Sequence, residues 1–313
     1  MKTRIKIHAA GRLLLVAAAA LIMTACALGP SRTDEADEQE QWRTEALEWR
    51  QDRHERLVSP YGWLSLVGLD FVSSGTWNVG NSDAADIRMP AGPENWGQLI
   101  VTSSRARFEP ADGRISVDGR PGTAGMLVQP GRSEPVWVEA ADVRFQILRH
   151  ADRMAVRTRW PQAETRTGFA GIDYFPFDPE WRVVADFIEH SRDKTLPFGS
   201  VLGVITDEPN PGVVEFQVDG ETYRLEAVSD SGLLFFVFAD ATSGKDTYGG
   251  GRMLYADLPD RNGQVVLDFN RAYNPPCVFT EYSTCPLPPP ENRLDVAITA
   301  GEKTYAGEQG YLK

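Results

Sequence analysis

Residues 213–228 read VVEFQVDGETYRLEAV. Val214, Phe216 and Val218 alternate with Glu215 and Gln217, the period of two expected of a strand with one buried face. Asp219-Gly220 follows, a pair that tolerates positive φ at both positions as a type I′ turn requires, and the alternation then resumes. The stretch predicts two antiparallel strands around a two-residue turn. The same signature recurs where Ile115 and Val117 run into Asp118-Gly119, and where Asn262-Gly263 precedes Val265. Further strand candidates are residues 63–67, 98–102, 143–148, 154–160, 181–189, 233–238, 252–255 and 296–299. Short strands at this spacing predict a mostly β chain of antiparallel sandwich-like or barrel-like domains.

One helix interrupts the pattern. Trp42, Ala46, Trp49 and Leu57 share a face at near-helical spacing over residues 38–58, and Pro60 ends the run. This predicts one N-terminal amphipathic helix that packs on the β structure, with docking of a partner as the alternative. Residues 26–40 are small, polar and acidic, and read as a flexible tether. Residues 161–179 are rich in Gly, Pro and Asp and suit a domain junction. The expected organisation is a leader over 1–25, a tether over 26–40, a helix plus β domain over 41–160 and a C-terminal β domain over 161–313.

The N-terminus gives an address. Lys2, Arg4, Lys6 and Arg12 surround and precede an apolar run over 13–21, and Leu21-Ile22-Met23-Thr24-Ala25-Cys26 closes it. The segment resembles the signal peptides of bacterial lipoproteins, which implies thioether-linked diacylglycerol and an amide-linked acyl chain such as palmitate on Cys26. Ala27 in place of a retention Asp implies an outer-membrane protein facing the periplasm. The whole chain has 32 basic against 44 acidic residues, net −12, and loss of four basic residues with the leader takes it to −16. Such a surface excludes nucleic acid as a natural partner and leaves membrane attachment to the lipid. Cys277 and Cys285 then remain as an even pair in an oxidising compartment, and a disulfide is expected. Metal ligation is the rival reading, although the spacing fits no usual zinc pattern and no histidine is near in sequence. No cofactor is implied.

The usual hydrolase and nucleotide-binding signatures are missing. Among the histidines, His190 beside Glu189, Arg192 and Asp193 is the candidate base. Polar chemistry concentrates in residues 240–252 (DATSGKDTYGGGR) and 268–277 (DFNRAYNPPC). Lys245, Tyr248, Arg252, Asp268, Asn270, Arg271, Tyr273 and Asn274 are expected to share one ligand-binding surface. In the competing reading, Asp240, Asp268, Arg252 and Arg271 pair to stitch loops over a core.

These stretches, with residues 62–69 (GWLSLVGL) and 284–292 (TCPLPPPEN), resemble the bacterial and archaeal family known as domain of unknown function 1684 over roughly residues 49–301. The resemblance implies membership without an activity and directs attention to residues 240–292. The leading expectation is a lipid-anchored protein binding a small or glycan-like ligand at the face from Lys245 to Asn274. The alternatives are a hydrolase or lyase with Asp268 as base and Arg271 or Lys245 holding an anion, and an envelope interaction scaffold.

Overall fold

The computed structural model describes residues 32–129, 131, 133–150 and 153–307. The leader and Cys26 lie outside them. The chain is mostly β with one long N-terminal helix, and the described strands form sheets without a closed barrel, antiparallel apart from the short parallel pairing of Ile87–Arg88 with Gly75–Gly80. No helix among the described residues is long and apolar enough to cross a membrane.

The helix spans Arg32–Val58, with Asp34 and Glu35 in its first turn where carboxylates favour the helix dipole. It therefore begins earlier than expected, and residues 32–40, read as tether, are helical. Between Glu45 and Val58 the inward face is Ala46, Trp49, Arg50, Arg53 and Leu57, while Leu47 is exposed. The helix is thus less amphipathic than its tryptophans suggested, because two arginines occupy the stripe.

Residues 66–159 form a sandwich. One sheet orders its strands Leu66–Val72, Arg153–Arg159, Val143–His150, Val138–Ala140, Ser116–Val117 and Arg120–Pro121. The other orders Ile87–Arg88, Gly75–Gly80, Gly97–Val101, Ala106–Pro110 and Gly125–Val128. Their facing residues, among them Trp96, Phe108, Phe145, Val138 and Val156, make the first core. Phe108 meets Phe145 edge-on with centroids 5.5 Å apart.

A second core follows. Strands Glu221–Glu226, Gly212–Val218, Arg182–Glu189 and Gln264–Asp268 face a three-stranded sheet of Val228–Asp230, Leu233–Phe238 and Arg252–Ala256. Phe216, Phe236, Phe238 and Phe269 fill the space between. The 213–228 hairpin forms as read, with Val218 opposite Glu221 and φ of 53° at Asp219 and 83° at Gly220. Ser231-Gly232 makes an unanticipated turn of the same kind. At Asn262-Gly263 only the glycine has positive φ, because the Asp260 carboxylate accepts from the backbone N–H groups of Asn262 at 2.8 Å and Gln264 at 2.9 Å.

Two strand expectations change. Residues 63–65 form a 3-10 turn ahead of Leu66–Val72. Residues 296–299 form no strand, because the Arg252 guanidinium, not a neighbouring backbone, donates to the carbonyls of Ile298 and Ala300. The junction at 161–179 is folded as well: Arg166 donates to the carbonyls of Val58 at 2.9 Å and Pro161 at 2.8 Å.

The helix is fixed by one buried pair. Arg53 Nε donates to Glu302 Oε1 at 2.8 Å, and Arg53 Nη2 to the Asn274 carbonyl at 2.9 Å. The Asn274 N–H returns a bond to Glu302 Oε2 at 2.7 Å, closing the triangle. Arg53 is 5% exposed and Glu302 0%. Arg53→Met should leave Glu302 buried and unpaired and cost about 3–5 kcal/mol, with the Arg53→Met/Glu302→Leu double variant recovering part of the loss. Chemical denaturation of the protein checks this, and a single-variant loss below about 1 kcal/mol, as for a surface pair, contradicts it.

Candidate functional site

Alternation along Val143–His150 and Arg153–Arg159 sends Val143, Phe145, Met154 and Val156 into the first core. It sends Arg144, Gln146, Arg157 and Arg159 to the opposite face. The register pairs Arg144 with Arg159 and Gln146 with Arg157. Like charges directly opposite on a ladder are unfavourable unless something neutralises them. Nothing among the described residues does so at ion-pair distance; Glu139, the cross-strand neighbour of Arg144 on its other side, only raises its pKa from further away.

Each arginine has partners of another kind. Arg144 lies between the rings of Tyr61 and Trp137, 3.7 and 4.0 Å from their centroids. Arg157 donates to Thr284 Oγ1 at 3.2 Å, and Arg159 to the carbonyls of Tyr61 and Gly62. The Nε atoms of all three and Oε1 of Gln146 are buried without a hydrogen-bond partner. Burial pushes the Arg157 guanidinium below its ordinary value. Burial, reinforced by the charges of Arg157 and Arg144, brings Arg159 down to about 10.

A groove opens beside Arg159. Its wider part, a cavity of about 510 Å³, is lined by Trp49, Arg53, Arg56, Trp63, Arg159, Tyr255 and Tyr273. A narrower part of about 240 Å³ shares Trp63, Arg159, Tyr255 and Tyr273 and reaches Arg157, Thr284 and Cys285. Tyr255 and Tyr273 are stacked, with centroids 6.3 Å apart and planes at 12°. Trp49 and Trp63 lie 6.2 and 6.4 Å from Tyr273. The Tyr255 hydroxyl donates to Asp230 Oδ2 at 2.5 Å. Burial holds Tyr273 well above the ordinary phenol range, so it offers the groove a neutral ring.

The residues singled out by sequence are dispersed. Tyr273 alone of the eight lines this groove. Lys245 is exposed, with Nζ on the Ala241 carbonyl at 3.2 Å. Arg252 is fully buried on Asp240 at 2.6 Å, and burial lowers its pKa. Asn270 is equally buried and brackets the Asp178 backbone, accepting at 3.0 Å and donating at 2.9 Å. Asp268 Oδ1 caps the Asn270 N–H at 3.1 Å, while Arg271 spans Asp268 at 3.1 Å and Glu45 at 3.2 Å. The amide of Asn274 donates to the Lys303 carbonyl at 2.8 Å. His190 bonds Glu226 at 2.9 Å and Lys194 at 2.7 Å, in a network that contributes nothing to the groove lining.

Sequence reading passed over Arg53, Trp63, Arg157, Arg159 and Tyr255. The available signal was Arg157-Thr158-Arg159 inside a strand, since residues two apart point the same way.

Cys277 and Cys285 form a disulfide. Cys285 faces the narrow part of the groove, whereas Cys277 faces a separate cavity of about 310 Å³ that also touches Tyr248 and Leu287. Tyr248 is 5% exposed and its hydroxyl has no partner among the described residues. Because an unmade hydrogen bond costs the desolvation of the group, Tyr248→Phe should be neutral or stabilising by up to about 1 kcal/mol. A loss above about 1 kcal/mol in thermal or urea unfolding would mean that the hydroxyl has a partner after all.

Comparison with known proteins follows the same division. Residues 167–303 match the family described as Protein of unknown function (DUF1684). A solution NMR structure of an uncharacterized protein from Haloarcula marismortui is 35% identical, over 44% of this chain and 79% of that chain, with a TM-score of 0.38. No curated protein matches. The matched range holds Tyr255, Tyr273 and both cysteines, and it stops short of Trp63, Arg157 and Arg159. By the match over residues 167–303, this part of the chain belongs to the DUF1684 family of proteins of unknown function.

Proposed function

We propose that the protein binds a small anionic ligand with a ring or flat apolar part, held in the arginine and aromatic groove. One observation carries this reading: Arg157 and Arg159 stand on the wall of an aromatic-lined groove with no carboxylate beside them among the described residues, in a chain with 44 acidic and 32 basic residues. Burying an unpaired charge is expensive, and acidic partners are plentiful elsewhere in the sequence. A ligand oxyanion completes the pairing, and Trp63, Tyr255 and Tyr273 offer faces for a ring.

The groove supports binding better than catalysis at Asp268. That carboxylate already accepts from Asn270 and faces Arg271. The placement we propose is the envelope, with Cys26 lipidated and the folded part facing the periplasm; the residue pattern of the leader supports it. Cys26→Ser should abolish acyl labelling and release the protein from membranes, and unchanged labelling would refute the anchor.

For the groove, thermal shift with millimolar glucuronate, benzoate and inorganic phosphate should raise the melting temperature for at least one anion, with neutral glucose inert. Arg159→Met, checked for folding by circular dichroism, should weaken that binding about tenfold or more, the value of a charge-assisted hydrogen bond. Failure of every anion to shift the wild-type protein would sink the proposal.

A further inference from the structure

Resting on the groove as an anion site, the arrangement of its basic wall specifies which anion. We infer that the ligand carries a phosphate monoester rather than a single carboxylate. Two of the guanidinium groups lining the groove, Arg157 and Arg159 on one strand, have no carboxylate partner among the described residues, and Arg144, outside the lining, is directly opposite Arg159 on the ladder. Each keeps a buried Nε–H without an acceptor. A single carboxylate has one negative charge and two oxygens, so it leaves one of these two lining charges unbalanced. A phosphate monoester has close to two charges at neutral pH and three terminal oxygens, enough to accept from several guanidinium groups.

Thr284, which already receives Arg157, adds a hydroxyl on the facing wall.

The charged and titratable groups around this spot are Arg53 with Glu302 and Arg56 from the helix, and Glu139 from the next strand. Tyr61, Tyr255, Tyr273 and Asp230 complete the set. Among the described side chains no histidine is one of them, and histidine is the side chain that ordinarily titrates between pH 5 and 8. A change in affinity over that range therefore reports on the ligand. The second ionisation of a phosphate monoester lies near pH 6, so its dianion falls about tenfold in abundance from pH 7 to pH 5. A uronate carboxylate stays ionised throughout.

The test is calorimetric titration of the lipid-free protein with glucose 6-phosphate and with glucuronate, at pH 7 and pH 5. Glucose 6-phosphate should bind at least tenfold tighter at pH 7 and lose about tenfold at pH 5, with glucuronate nearly flat. Vesicles containing phosphatidate, run beside the sugar phosphate, show whether the ester is soluble or a lipid headgroup. Arg144→Met adds a second readout: a charge beside the site acts in proportion to ligand charge, so the fold-loss for the dianion should be about the square of that for glucuronate. The wild-type pH profile stands even if that variant fails to fold. Glucuronate binding as tightly as the phosphate, or an affinity for the phosphate that does not fall at pH 5, overturns the phosphate inference and leaves the groove reading intact. Absence of binding by any anion removes both.

Discussion

The buried pair of Arg53 and Glu302 ties a helix near the start of the chain to a segment near its end, 249 positions away in sequence. Much of the groove depends on that tie. Arg53 is pressed against the rings of Trp63 and Tyr273, at 4.9 and 4.8 Å, so the guanidinium that satisfies Glu302 also sets the spacing of the aromatic wall. Glu302 in turn holds the backbone of Asn274, one residue beyond Tyr273. An isolated charge here would be costly; a triangle of Arg53, Glu302 and the Asn274 peptide satisfies both ions with short bonds.

The two sets of arginines show opposite solutions to burial. Arg53 and Arg252 each have a carboxylate and work as internal fasteners. Arg144, Arg157 and Arg159 have carbonyls, a hydroxyl and aromatic faces but, among the described residues, no counter-ion at close range. The first set holds the fold together. The second keeps a repulsive arrangement that folding alone does not require, the kind of local conflict on which the proposed anion site rests.

Legibility from sequence followed the range of the physics involved. Turn chemistry is local, so Asp219-Gly220 and Asp118-Gly119 were readable at once, and alternation located most of the strands. The Asn262-Gly263 turn was misjudged because Asp260, two residues upstream, competes for its backbone. Residues 296–299 have the pattern of a strand, but the Ile298 carbonyl is taken by the Arg252 side chain, 46 positions away. The site was harder still. Dense polarity in 240–274 mostly reflects buried fasteners such as Arg252 and Asn270, which need partners as much as a binding site does. The groove instead joins a helix, a 3-10 turn, a strand of the first sandwich and a strand of the second, a coincidence that only the long-range fold creates.

Placing two tryptophans at the mouth of a cationic groove has an optical corollary. Trp49 and Trp63 are partly buried beside arginines, whereas Trp96 is wholly enclosed in the first core. Indole emission responds to the polarity and charge around the ring, so an occupant that displaces water and neutralises the wall would alter the light from the first two against the background of the other six tryptophans. The protein thereby carries its own unlabelled reporter of occupancy.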